Sequence, residues 1–333
     1  MVRGSKASTR FSARGLNRAV VEGSLLVTCR ERRHPSVVVE VAGSEARFVK
    51  HAVDDLGRSA LARERTTVAA LTRDASLARL LPVVISSDGG TCDLTFRYEV
   101  GASDLRVLSL GDRGLPHEAG IRLGQSLRAL HGAAHVVERT STVDLRFHLP
   151  STDDLQFSTP ASIALMEILQ RADGVAATLE RLATNWRSDG LIHGDLRFDN
   201  VLVGVDPTRP IVVVDWEDAG LGDRAWDLGT VIGEILSTWL YTGGAALNAP
   251  WPRPPEPLRG WVRRFLEGYG ATCGSGEDLR RATEYAGAWL IQVAVEHCLV
   301  STAIPPAAIL RLQLAQNIFS RPAAAADLIG IGR

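Results

Sequence analysis

Cysteine is scarce in this chain: the four present, Cys29, Cys92, Cys273 and Cys298, lie far apart with no C-x-x-C spacing. That excludes a zinc site or a disulfide framework as the organising device and points to a reducing, cytoplasmic setting. No apolar run approaches the roughly 18 residues that a membrane span requires. The N-terminus carries scattered Arg3, Lys6, Arg10, Arg14 and Arg18 without the apolar stretch of a secretory signal, so residues 1–22 read as a basic, flexible arm. A dominant charge is missing too: the net charge of −1 predicts neither a nucleic-acid nor a membrane partner. There is no internal repeat, and lysine is nearly absent, Lys6 and Lys50 being the only two.

What is present is a chain of 333 residues, 45% hydrophobic and 23% charged, long enough for two lobes and a substantial core. Its charge is uneven: residues 1–150 carry 22 Lys+Arg against 16 Asp+Glu, and residues 151–333 carry 15 against 22. Such asymmetry fits a basic part that handles phosphates and an acidic part that handles a metal or cationic substrate. It equally fits two solvated surfaces that differ by chance, and both readings stay open.

Strand signals run from Leu25 to His51, in "SLLVTC", "VVVEV" and "RFVKH", each bounded by Gly, Ser, Pro or charged turns. A helix is expected through "GRSALARERTTVAALTR", and strand-like text returns over residues 81–100. From about residue 117 the period becomes helical: Leu123, Leu127, Leu130 and Ala134, then Leu228, Val231, Ile232, Ile235, Leu236, Trp239 and Leu240, which reads as core packing. "APWPRPPEP" holds too many prolines for a helix, and "EYAGAWLIQVAVEHCLV" reads as a further buried one. The plan is a strand-rich N-lobe over residues 23–100 and a helical C-lobe over 101–333.

Inside the C-lobe, "LIHGDLRFDN" (191–200) crowds a histidine, two aspartates, an arginine and an asparagine between apolar flanks. "NVLVG", the turn "VDPTRP" and "IVVVDWEDAG" follow, and read as a hairpin. A hairpin returns its ends to one place, which would bring Asp195, Asn200 and Asp215 together. Two carboxylates and an amide oxygen make a hard-oxygen cage for Mg2+, which retains waters and takes substrate phosphate oxygens. Phosphoryl transfer needs such a site, a base for the attacking hydroxyl, and a cation for the moving phosphoryl group. Asp195 is the candidate base, Asn200 and Asp215 the metal ligands, and Arg197 the cation.

"HGDLRFDN" together with "VVDWEDAGLGDRAWDLG" resembles the aminoglycoside phosphotransferase and choline kinase-like family, related to the protein kinases, with its H-x-D-x-x-x-x-N signature and following metal motif. The resemblance implies an α+β, protein-kinase-like bilobal fold with a small antiparallel-sheet N-lobe and a large helical C-lobe. It implies ATP or GTP as donor with Mg2+, Asp195 as catalytic aspartate, and His193 and Asp227 as braces of the catalytic loop. It further implies a phosphate-holding lysine on a strand and a glutamate on the next helix; "ARFVKHA" supplies Lys50 and "LARERTTVAAL" supplies Glu64. The segment "FRYEVGASDL", around Tyr98, Glu99 and Val100, matches the hinge whose backbone holds adenine. One departure stands out: the turn "RERRHPS" has no glycine where related kinases cover the phosphates with one. Ser36, with Arg30, Arg32 and Arg33, either replaces those backbone contacts or is simply part of a solvated turn.

The acceptor divides the possibilities. Aminoglycoside-modifying members recognise polycations with clustered acids, partly at the C-terminus, whereas this chain ends "RPAAAADLIGIGR" with one acid, Asp327. The combination with "EILSTWLY" resembles the phosphotransferase-like proteins of class V lanthipeptide and thioamide-peptide biosynthesis. That implies a kinase acting on Ser or Thr of a precursor peptide, with a lyase partner that eliminates phosphate to leave a dehydroamino acid. A small-molecule kinase for an aminoglycoside, macrolide or amino alcohol, and a non-catalytic scaffold, are the other two readings. The helices after residue 225 and the stretch near Asp153 and Asp154 are where an acceptor pocket is expected.

Overall fold

The computed structural model describes residues 16–21, 25–30, 36–41, 46–86, 93–111, 114–141, 143–156, 158–204, 211–243, 256–270 and 276–331. They fall into two compact units, one drawn from Met1–Ala102 and Gly204–Asp218, the other from Ser103–Val203 and Ala219–Arg333.

The first unit is built on a six-stranded antiparallel sheet of β1 (Leu16–Val21), β2 (Leu25–Arg30), β3 (Ser36–Val41), β4 (Arg47–His51), β5 (Val84–Ser86) and β6 (Asp93–Arg97). Its order is β1-β2-β3-β4-β6-β5. β1 lies within the stretch whose composition suggests an arm; it pairs with β2 from Leu16 opposite Arg30 to Val21 opposite Leu25, so backbone pairing places it. The helix α1 (Asp55–Leu71) starts where the Asp54 carboxylate accepts the Gly57 N–H at 2.7 Å, a side-chain cap. Ala60, Leu61, Glu64, Thr67, Val68 and Leu71 recur at helical spacing as its buried face. Leu61 packs with Leu94 and Phe96 of the sheet and with Ala52, the residue after β4. The strand Ile211–Val213 belongs here too, its Val213 N–H donating to the Leu80 carbonyl at 2.8 Å, and the 3-10 turn Trp216–Asp218 follows it.

The second unit is helical: α2 (Leu105–Leu110), α3 (His117–Gly132), α4 (Thr152–Gln156), α5 (Pro160–Arg171), α6 (Val175–Thr184), α7 (Arg224–Gly243), α8 (Glu256–Tyr269), α9 (Gly276–Leu299), α10 (Pro306–Ser320) and α11 (Pro322–Ile329). Antiparallel sheet in one unit and helix in the other give the α+β class expected. α8 begins inside the proline-rich stretch, at Glu256, because Pro257 stands in its first turn where a missing N–H breaks no intrahelical bond. The remainder of that stretch, like the turn expected at "VDPTRP", lies outside the described residues.

α7 and α9 pack through aromatics, Trp226 lying edge-on to Tyr285 and Trp289 at centroid distances of 5.7 and 6.2 Å. α3 and α8 cross at Gly124 and Gly268; a methyl at Gly124 would overlap the Phe265 carbonyl, and one at Gly268 the Ile121 carbonyl. Two short strand pairs frame the polar loop: Gly190–Ile192 with Gly220–Gly222 before it, and Val201–Val203 with Ser103–Asp104 after it. Among the described residues, no helix is long and apolar enough to cross a membrane.

Candidate active site

In the first unit, β4 carries Lys50 and α1 carries Glu64 so that the two side chains meet. Lys50 Nζ donates to Glu64 Oε2 and to Asp215 Oδ1, each at 2.7 Å. Glu64 is fully buried, and its Oε1 accepts the Trp216 N–H at 3.3 Å. Burial alone would lower the Lys50 pKa, but Glu64 and then Asp215 outweigh it and hold the ammonium above the ordinary lysine value. Burial pushes the Glu64 carboxyl up against the pull of Lys50, and Asp215 pushes it the same way. Two carboxylates thus face one ammonium, leaving a negative charge that a divalent cation would neutralise. Asp215 has φ 71°, the one positive φ of a non-glycine among the described residues. Aspartate tolerates the left-handed region better than most residues, yet such a backbone costs of order 1–3 kcal/mol and concentrates at functional sites.

In the second unit, the buried strand Gly190–Ile192 delivers His193, and Gly194 turns the chain with φ 85°. Asp227, near the start of α7, accepts the His193 N–H at 2.8 Å and the Gly194 N–H at 3.1 Å. Trp226 Nε1 donates to the Gly194 carbonyl at 2.8 Å, so two successive residues of α7 grip the loop. His193 Nδ1 accepts the Asp195 N–H at 3.3 Å, which places any proton of a neutral ring on Nε2. Asn200 Nδ2 donates to the Asp195 carbonyl at 3.0 Å, and its Oδ1 accepts no hydrogen bond among the described residues.

Asp195 is half-buried, and Arg197 Nε donates to its Oδ1 at 2.8 Å. The same guanidinium forks onto Glu296 of α9, Nη1 to Oε2 at 2.8 Å and Nη2 to Oε1, and lies 4.9 Å from the Trp289 ring centroid. Burial would lower the Arg197 pKa, but Asp195 and Glu296 together hold it above the ordinary arginine value. Arg197 is therefore engaged by two carboxylates rather than extended as an isolated cation.

The residues predicted from sequence gather into two sets. Lys50, Glu64 and Asp215 meet in one unit; His193, Asp195, Arg197, Asn200 and Asp227 meet in the other. Ser36 is buried opposite Lys50 in the β3–β4 register, and its hydroxyl has no hydrogen-bond partner among the described residues. Tyr98 N–H is taken by the Ala46 carbonyl at 2.9 Å, and Val100 N–H by the Tyr98 carbonyl at 3.0 Å. Arg32 and Arg33, and the side chains of Arg30, Asp153 and Asp154, lie outside the described residues. No cluster of three or more His, Cys, Asp or Glu side chains forms a metal cage among the described residues; Asp215 in the first unit and Asn200 in the second each offer an oxygen of the hard kind that suits Mg2+, which keeps waters and substrate phosphates as its other ligands.

Three further residues hold this site. Glu234 of α7 is fully buried and accepts from the Phe198 N–H at 3.1 Å, from Trp289 Nε1 at 3.1 Å and from Arg106 of α2. His131 of α3 places Nε2 3.3 Å from Asp227 and Nδ1 2.9 Å from the Tyr269 hydroxyl. Glu296 anchors Arg197. The available signal was a lone acid within the apolar period of α7, at Glu234.

The sequence profile of the phosphotransferase enzyme family matches residues 57–285. A choline kinase from Streptococcus pneumoniae is similar in structure, with 15% sequence identity over 86% of this chain and 89% of that one and a TM-score of 0.51. An ethanolamine kinase from Plasmodium vivax is likewise similar, with 15% identity over 90% of this chain and 83% of that one and a TM-score of 0.56. At such identity the likeness shows a shared protein-kinase-like fold. No curated protein sequence matches the chain.

Proposed function

The chain belongs to the phosphotransferase enzyme family and is an ATP-dependent kinase with a hydroxyl acceptor, and from that premise we propose that it phosphorylates Ser or Thr of a ribosomal precursor peptide with Mg2+ as cofactor. A lyase partner would then eliminate the phosphate, leaving a dehydroamino acid. In this reading Lys50, oriented by Glu64, holds the nucleotide phosphates, Asp215 and Asn200 hold the metal, and Asp195 accepts the acceptor's proton. The metal, when bound, screens charge on the phosphates. The acceptor oxygen forms its bond to the γ-phosphorus as the bond to the β-phosphate oxygen breaks, its proton passes to Asp195, and ADP leaves. Tyr98, Glu99 and Val100 approximate the adenine site and Ser36 lies beside the phosphates, while His193 and Asp227 keep the loop in shape.

The observation that carries the kinase reading is the buried Lys50–Glu64–Asp215 cluster, in which two carboxylates face one ammonium. The peptide acceptor is supported by the sequence resemblance and by Arg197 two residues after Asp195, where peptide-phosphorylating kinases carry a basic residue. Mass spectrometry after incubation with magnesium-ATP tests it, using one pool of Ser/Thr-rich precursor peptides and one of aminoglycosides and amino alcohols. A phosphoryl gain on a peptide hydroxyl supports the proposal. The same gain on a small molecule overturns the peptide acceptor, and silence in both pools with a lyase candidate present points to a scaffold.

A further inference from the structure

Arg311, on α10, is a buried cation that forms no ion pair among the described residues. It is 6% exposed, its Nε and Nη2 donate to the Ser237 hydroxyl at 3.1 and 3.0 Å, and its Nη1 donates to the Ala307 carbonyl at 3.1 Å. Both acceptors are neutral, and among the described residues no carboxylate lies within ion-pair distance of this guanidinium. Three bonds leave two of its five N–H donors unused. The contrast within the same unit is direct: Arg281, equally buried, pairs with Asp223; Arg197 pairs with Asp195 and Glu296; Arg106 pairs with Glu234. A buried, unneutralised guanidinium is costly unless something comes to pair with it.

The surroundings add positive charge. Ser237 stands one turn beyond Glu234 on α7, and Glu234 is already occupied by Arg106, whose side chain keeps 33% of its surface exposed. Burial and then Arg106 hold Arg311 below the ordinary arginine value, and Glu234 offsets only part of this. His297 on α9, beside Glu296, is pushed down by burial and then by Arg311, with Arg106 and Arg197 adding to it and Glu296 opposing, so it adds no positive charge near neutral pH. α2 and α10 thus bring two guanidinium groups to neighbouring turns of α7, Arg106 at Glu234 and Arg311 at Ser237, and Arg106 reaches solvent. A chain of contacts runs from there to the proposed base. Trp289 bridges Glu234 and the Arg197 guanidinium, and Arg197 touches Asp195.

We propose that Arg311 and Arg106 form an anion subsite for the acceptor, so that the hydroxyl presented to Asp195 belongs to a molecule bearing a carboxylate or phosphate group. This rests on the kinase reading and narrows it: acidic peptides and anionic sugars are accepted, and polycations are repelled at this wall. Glu234, Glu296 and Asp195 are each engaged by an arginine already, which leaves Arg311 to the ligand.

Thermal unfolding of the full chain, saturated with magnesium-ATP to fill the nucleotide site, tests the subsite directly. Inorganic phosphate is the probe, and wild type is compared with Arg311→Met and Arg311→Gln, the latter keeping a donor for Ser237. Phosphate is expected to raise the wild-type midpoint by several degrees and to leave both variants unmoved. Variants that respond as wild type does, or a wild type that does not respond, overturn the proposal. Two binding arms on Asp195→Asn protein separate the sources: Ser peptides flanked by Glu, Gln or Lys, and glucose 6-phosphate beside glucose and glucosamine. In the class that supplies the acceptor, the acidic member should bind at least tenfold tighter than the neutral one, with the difference lost in Arg311→Gln. Tightest binding of the Lys-flanked peptide or glucosamine, or equal affinity across charge in both classes, also overturns it. If magnesium-ATP raised the midpoint of neither wild type nor variant, the kinase reading would fail instead, since Arg311 does not enter that measurement.

Discussion

At the scale of single residues, the two polar clusters make different demands on their side chains. Asp195 is held by Arg197 and by the Asn200 amide, so Asp195→Asn preserves the shape of the loop while removing the group proposed to accept a proton. Transfer should fall by about a thousandfold, the usual scale for losing a general base, with magnesium-ATP affinity unchanged by calorimetry. A variant with full activity would remove Asp195 from that role. Lys50→Met leaves Glu64 and Asp215 facing each other without their cation. Breaking a buried pair in this way costs about 3–5 kcal/mol, so denaturant unfolding should show the loss alongside weakened nucleotide binding. Stability close to wild type would mean that the cluster is less dry than its burial indicates.

At the scale of elements, the loop is held by helices that approach it from several directions, and Glu234 is the joint between them. Glu234→Ala strands the Phe198 N–H, the Trp289 indole N–H and Arg106 together. A loss of about 3 kcal/mol is expected on the scale of other broken buried networks, and Glu234→Gln should recover part of it. If Glu234→Ala unfolded at the wild-type denaturant midpoint, the joint would be dispensable. The α3–α8 crossing makes a separate prediction. Gly124→Leu pushes a side chain into the backbone of α8 and should destabilise by about 1–3 kcal/mol. Because the Lys50, Glu64 and Asp215 cluster lies in the other unit, surviving folded protein should retain its nucleotide affinity.

At the scale of the whole molecule, alkaline pH should expose the buried phenols. Burial, assisted by Asp227, pushes the Tyr269 hydroxyl up to about 12, although Arg224 pulls the other way; burial and then Asp223 raise Tyr285 as well. An acid whose pKa is higher in the folded state keeps its proton there after the unfolded chain has lost it. Stability is therefore intact below about pH 10, the unfolded tyrosine value, and falls as pH rises from there toward 12. Urea unfolding across that window should show a shallower decline for Tyr269→Phe. An identical decline in wild type and variant would remove Tyr269 as a contributor. Much of this architecture was legible in the sequence because its period was strong: the strands through Lys50, the buried face of α1 and the stripe from Leu228 to Trp239. The polar loop was legible because its residue types are costly unless used. Glu234, His131 and Arg311 were not, since each acquires its meaning from partners on other helices, and no local pattern records which helices will meet. Finally, the first unit takes residues from both sides of a long excursion of the chain. A ribosome releases β4 and α1 early, but Asp215 and Trp216, which complete the hydrogen bonding of Lys50 and Glu64, only after all of Ser103–Val203 has been made. The nascent chain therefore cannot assemble this charge cluster until Asp195 and Asn200 have already emerged, so a half-synthesised protein lacks the group proposed to grip the nucleotide phosphates.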